Sequence, residues 1–267
     1  GDWSSDVCSS DLSRKVAAAT QTPAAMAWDR SGHRFAGAAI SYGAKIFDAK
    51  GNLVLDDGYK TAVRKFVGWH KDGAMLKDVW GGSGGSTYAD SIGEFKNGRI
   101  VTVLSGSWQI NRLQKEIGNS FDWVAVPNPC GPAACTGMPG GAAWVALKTT
   151  KSPKEVGQFL DFMAQEANVA EFASKTNNIP AHAGVAKKGV AYPSAGPAAQ
   201  AALSTFTSGT STLAPAAYAL QGYKYNRAFM LPTVTRVTQA IVGEISVDEA
   251  VTKVAADMAE AVKQAEK

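Results

Sequence analysis

The 267-residue chain is poor in the side chains that do most chemistry, with only three histidines and three cysteines. His33, His70 and His182 are far apart in sequence and make no metal-binding pattern. A zinc site needs about four ligands, and no second Cys or His pair is present to complete one. Gly-Lys never occurs, which removes the Walker phosphate loop. No apolar run approaches the roughly 20 residues that cross a bilayer. The net charge is only +4, and the basic residues are scattered rather than striped with aromatics, so nucleic acid is not an expected partner. No internal repeat occurs. With 45% hydrophobic and 19% charged residues, the chain suits one large globular domain or two small ones. No metal and no cofactor are expected.

The first stretch, Gly1 to Leu12, reads GDWSSDVCSSDL and nearly repeats itself around Cys8. It shows neither a helical nor a strand period and looks like translated adaptor text. Residues 1–12 are therefore expected to be a non-native leader, outside the reasoning about the fold. Cys130 and Cys135 remain, in the short Gly- and Pro-containing loop Cys130-Gly-Pro-Ala-Ala-Cys135. A tight disulfide is feasible there and would fit an oxidising compartment; two free thiols are the alternative.

Helices and strands alternate along the rest, so the class is α/β. Lys45–Asp48 and Leu53–Asp56 flank a Gly-containing turn and predict a hairpin. Asp57 is placed to cap a helix from Tyr59 to Lys71 with Ala62, Val63, Phe66, Val67 and His70 on one face. A helix is expected from Tyr88 to Lys96, and strands over Arg99–Leu104, Phe121–Val126 and Ala142–Lys148. Further helices are predicted near Trp108 and over Pro153–Ala164, Asn168–Ser174, Ala198–Thr207 and Asn226–Gly243. Ser246 and Glu249 make a capping box that opens a last helix.

Gly81-Gly82-Ser83-Gly84-Gly85 fits the nucleophile-elbow pattern of serine hydrolases, with His182 downstream. The elbow needs a buried strand before it, and Leu76–Trp80 supplies only a short charged run. A hydrolase built on Ser83 is thus a remote alternative. Seven tryptophans are many for this length. Trp is used for flat ligand contacts, though most Trp residues serve the core.

Several segments, in this order and spacing, resemble sugar-binding proteins of bacterial ABC importers, the group that includes maltose-binding protein. They are Asp48–Gly51 with Leu55–Asp57, Phe95–Trp108, Phe121–Pro127, the Gly140-Gly141 strand, Lys151–Glu155, Asn178–Ala181 and Val242–Ala250. The resemblance runs from about Gln21 to the end and implies two α/β lobes that close on a ligand, the type II-like periplasmic binding-protein fold. It also implies that most of the N-terminal lobe is missing. Residues 21–141 and 191–267 would build the C-terminal lobe, and 142–190 would cross to the other.

By the same resemblance the protein is not an enzyme. It would bind a sugar or oligosaccharide and deliver it to an ABC transporter permease. The alternative is a non-sugar solute such as a polyol or polyamine. Its location would be periplasmic or extracytoplasmic, with or without a lipid anchor, and the complete protein would be a monomer. Trp108, after the Ser105-Gly106-Ser107 turn, is placed on the family's stacking Trp. Gly140 and Gly141 would let a ligand approach the backbone. Trp144, Trp80, Tyr225 and Arg227 stand open between ligand contact and ordinary packing; Trp69 and Trp123 are expected in the core.

Overall fold

The structure, a computed structural model, describes residues 6–82 and 88–267. In chain order the elements are α1 (Asp6–Thr20), β1 (Ala24–Trp28), α2 (Gly32–Ser41), α3 (Asp57–Lys71), α4 (Asp78–Gly81), α5 (Ser91–Lys96) and β2 (Ile100–Leu104). A 3-10 turn, Ser107–Gln109, leads into α6 (Ile110–Ile117). Then come α7 (Pro153–Ala164), α8 (Glu166–Thr176), α9 (Ala183–Lys188), α10 (Pro197–Gly209), α11 (Pro215–Gly222), α12 (Asn226–Val242) and α13 (Val247–Ala265). The chain divides into two compact units. Unit 1 is Gly1–Ser105, Asn128–Pro139 and Thr212–Lys267; unit 2 is Gly106–Pro127 and Gly140–Ser211.

Unit 1 is built on the parallel pair β1 and β2, in register from Ala24 opposite Ile100 to Trp28 opposite Leu104. Met75 bridges Met26 on the other side of β1, so β1 is interior. All five β1 residues are buried, as expected of a parallel strand covered on both faces. Phe66 of α3 sits at the centre of the packing, with ring centroids 4.9 Å from Trp28, 4.7 Å from Trp80 and 5.6 Å from Phe35. Asp56 caps α3 by accepting the Tyr59 N–H, one residue earlier than the sequence suggests. α12 and α13 pack on each other and on α3. Pro232 lies inside α12, beyond its first turn, where its missing N–H removes the helix bond to the Ala228 carbonyl. Ser246 and Glu249 form the reciprocal capping box of α13. The hairpin reduces to a Phe47–Leu53 bridge beside an Asp48 turn.

Two readings of the chain need correction. Helix α1 includes Asp6–Leu12, where the sequence shows no helical period. It is held further along, where Ser13 and Ala17, one turn apart, are both buried. Phe121–Val126 and Ala142–Lys148 are not strands. A strand is defined by its partner, and neither stretch has a ladder neighbour among the described residues.

Unit 2 is helical. Its core is small: Ile110 of α6 packs with Ala195 and with Ala199, Ala202 and Leu203 of α10. Trp123, Ala125, Ile179, Tyr192 and Phe206 surround it. Gln114 fastens the start of α10 by accepting the Gly196 N–H at 2.6 Å and donating to the Ser194 carbonyl at 3.2 Å. None of the α7 residues is buried.

Candidate functional site

In unit 2 the Ser107–Gln109 turn carries Trp108, whose side chain is 53% exposed. The indole lies over Gly106: a Cβ on that glycine would sit 2.1 Å from the ring, so a side chain there would push the indole out of this position. Gly140 is beside the same ring, with ordinary contact distance for an added Cβ at 3.7 Å. Trp108 and Gly140 are thus brought together, and the indole keeps a solvent-facing surface. Gly141 follows with a φ of 139°, which L side chains rarely adopt, and with open space where a side chain would be. Trp144 is 60% exposed and stacks edge-on against Phe159 of α7 and Phe172 of α8, with centroids 5.6 and 6.3 Å away. It belongs to an apolar cluster of its own.

In unit 1 Tyr225 and Arg227 line a groove of about 520 Å³ along α12 and α13, with Leu231, Thr235, Asp257 and Ala261. Lys224 stands over the Tyr225 ring at 4.4 Å. Trp80 is not a ligand contact. It is fully buried, its Nε1–H donates to the Trp28 carbonyl at 2.9 Å, and Phe66 packs against it. No face of the indole is left for a solute. Trp69 and Trp123 are partly buried against the two cores. Ser83, the base of the hydrolase alternative, lies outside the described residues. His182 caps α9 by accepting the Val185 N–H.

The polar centre of unit 1 went unnoticed in the sequence. Asp29, directly after β1, accepts from the hydroxyls of Ser91 and Ser105, each at 2.5 Å, and pairs with Arg34 Nε at 3.7 Å. Burial pushes the Arg34 guanidinium down, and Asp29 offsets this. Arg30 lies 3.8 Å from the Tyr88 ring centre and donates to the Trp80 carbonyl. These groups stand where β1 and β2 end, the position at which open parallel sheets present polar groups to ligands. Beside them, His33 Nε2–H donates to the Pro139 carbonyl at 2.8 Å. Burial pushes this imidazole down, and the neighbouring Arg34 charge adds to the effect. A chain signal existed in Trp28-Asp29-Arg30-Ser31, a strand end followed by a helix cap.

Among the described residues no group of three or more His, Cys, Asp and Glu could hold a metal ion. No described helix is long and apolar enough to cross a membrane. Cys130 and Cys135 are joined as a disulfide, with Cα atoms 3.8 Å apart.

The chain thus passes four times between a parallel-stranded unit and a helical one and carries an exposed Trp between β2 and α6. Residues 9–205 match the family of bacterial extracellular solute-binding proteins, and the chain belongs to that family. It is 30% identical over 96 residues to the maltodextrin-binding protein MdxE of Bacillus subtilis (strain 168), a match covering 35% of this chain and 22% of that protein. Among solved structures it resembles the cyclic α-maltosyl-1,6-maltose binding protein of Arthrobacter globiformis, with TM-score 0.69 and 18% identity. That likeness covers 96% of this chain and 63% of the other. It also resembles the GacH receptor of Streptomyces glaucescens GLA.O, solved with and without acarbose, with TM-score 0.75, 16% identity and coverage of 95% and 63%. At such identities the likeness shows the fold, the two-lobed α/β fold of periplasmic binding proteins. The chain spans less than two thirds of the length of each of these relatives.

Proposed function

We propose that the protein binds an oligosaccharide of the maltodextrin kind outside the cytoplasm and delivers it to the permease of an ABC importer, without catalysing a reaction. The observation that carries the reading is the Trp108 indole, 53% exposed and backed by Gly106 and Gly140. A pyranose has an apolar C–H face that a flat indole covers, while its hydroxyls take hydrogen bonds from fixed polar groups and backbone N–H groups. Gly140 and Gly141 supply such backbone. Tyr225 and Arg227, on the groove of unit 1, and Trp144, in unit 2, stay candidate contacts on the family resemblance alone. The proposed lobes, 21–141 with 191–267 and 142–190 by itself, do not coincide with the compact units, which group 106–127 and 191–211 with 140–190. The relatives' ligands, a maltodextrin, a cyclic maltosyl-maltose and acarbose, are all neutral and rich in hydroxyls. A polyamine needs converging carboxylates, which Trp108 and the glycines do not provide.

The test is a thermal-shift screen of the full gene product against maltooligosaccharides, polyols and polyamines, followed by calorimetry. A solute that binds the folded state raises the melting temperature by mass action. Stabilisation by glucose oligomers is expected. Stabilisation by a polyamine alone would overturn the reading.

A further inference from the structure

Asn128–Pro139 belongs to unit 1, yet both of its ends lead into unit 2. Within unit 1 this segment lies along α2 from end to end. At the C-terminal end of α2, the Ala133 N–H donates to the Ser41 carbonyl at 3.0 Å. The buried Ser41 hydroxyl donates to the Thr136 carbonyl at 3.4 Å. Gly131 comes so close that an added Cβ would lie 2.3 Å from the Ser41 carbonyl oxygen. At mid-helix, Gly37 meets Gly137 and Met138, with an added Cβ 3.3 and 3.5 Å from their atoms. At the N-terminal end His33 holds the Pro139 carbonyl.

The other passages are fastened nearby. The Ala214 N–H, just after the chain returns to unit 1, donates to the buried Thr136 hydroxyl at 2.9 Å. Ser105, the last residue before the first passage, donates to Asp29, which pairs with Arg34 of α2. The Cys130–Cys135 disulfide closes the start of the segment, with the Gly131 N–H donating to the Ala134 carbonyl at 2.9 Å.

We propose that Asn128–Pro139 is a strap that fastens the chain passages between the units to α2, and that the Cys130–Cys135 disulfide keeps the strap in place. Cutting the disulfide lets residues 130–135 leave Ser41, which releases Thr136 and, through it, Ala214. In a protein that opens and closes on its ligand, loosening the passages shifts that equilibrium and hence the affinity; this consequence alone rests on the proposed sugar binding.

The experiment is amide hydrogen exchange on the native protein before and after dithiothreitol. The reagent reduces the disulfide to two thiols and is itself oxidised to its cyclic disulfide. The Ala133 and Ala214 amides are expected to exchange about tenfold faster, because a short loop sits at the low end of disulfide stabilisation. Phe66 and Val67 in the core of α3 should not change. Two arms accompany it: the C130S/C135S double variant, and Gly131→Ala, which lifts the strap with the disulfide intact and should accelerate the same two amides. Unchanged exchange at Ala133 and Ala214 after confirmed reduction overturns the strap. Calorimetry with maltooligosaccharides on the oxidised and reduced forms separates the two proposals. Binding without any change in exchange sinks the strap alone, while faster exchange without binding by either form sinks the sugar reading alone.

Discussion

Trp108 and Trp80 have similar chain surroundings, each close to glycine and serine in the sequence, and opposite fates. Trp80 fills the core beside Phe66, whereas Trp108 lies over Gly106 and is 53% exposed. Trp108→Ala in the full protein is expected to weaken sugar binding by about 1–3 kcal/mol, the range for a central aromatic anchor, and to leave the fold intact. Calorimetry checks this, and unchanged affinity would remove Trp108 from the site. What separates the two residues is the glycine beneath one ring and the carbonyl of Trp28 at the edge of the other. The chain shows neither, because both are set by tertiary packing. His70 offers a second residue-scale test. It is buried on α3, its Nδ1–H donates to the Phe66 carbonyl at 2.8 Å, and burial pushes it down to about 4. The unfolded chain takes up this proton near the ordinary value of 6.5. Between the two values the unfolded state holds more protons, so stability falls as pH drops through that window. The full effect is about 3 kcal/mol, and His33, lowered in the same direction, adds to it. His70→Gln should flatten urea stability measured from pH 7 to pH 4; an unchanged slope would place the titration elsewhere.

At the scale of elements, helices with local signals were legible and strands without partners were not. Ser246, Glu249 and the apolar spacing after them mark α13 in the chain, and the structure closes the box with the Ser246 N–H donating to Glu249 at 2.8 Å. Ser246→Ala is expected to lower unfolding stability by about 1 kcal/mol, the usual cost of a lost cap, read as a shift in the urea midpoint. Pro153, Asp57 and Gly243 likewise mark ends that the structure places within a residue or two. The pair β1 and α2 had only the short signal of Trp28–Ser31, a strand end followed by the Ser31 helix cap. Ala24–Trp28 is short and apolar without alternation, and only the ladder to Ile100–Leu104 makes it a strand. Phe121–Val126 and Ala142–Lys148 have apolar strand-like composition but no ladder neighbour among the described residues, so composition alone misled. The candidate site follows the same division. In unit 2 Gly140 and Trp108 could be picked out by type, while in unit 1 the group of Asp29, Arg34 and Ser105 meets only through the tertiary packing of β1, β2 and α2. The Cys130–Cys135 loop was legible by spacing. Alkylation without reductant followed by mass spectrometry should find neither cysteine modified, and two modified thiols would contradict the bridge.

Over the whole molecule the two units differ in what holds them. Unit 1 buries β1, α2, α3 and α12 around Phe35, Tyr59, Phe66 and Phe229, all close to fully buried. Unit 2 buries one small cluster and leaves Val124, Val126, Trp144, Val145, Leu147, Phe159, Phe162 and Phe172 exposed. Buried apolar area is the main favourable term in folding, so unit 2 has the weaker claim to independent stability. Exposed apolar surface on this scale also drives association. Two outcomes are expected for residues 13–267 produced alone. Amides of α7 and α8 should exchange well before those of α3 and α12, because local opening free energies follow local burial. Light scattering should show self-association that rises with concentration, and Phe159→Glu with Phe162→Glu on α7 should reduce it without changing exchange in α3. Those two positions are the informative ones because their rings are about half exposed in the structure, at 46% and 54%. A monomer that melts in one cooperative transition, with equal protection in both units, would show that this apolar face costs the chain nothing and that unit 2 is stable as it stands.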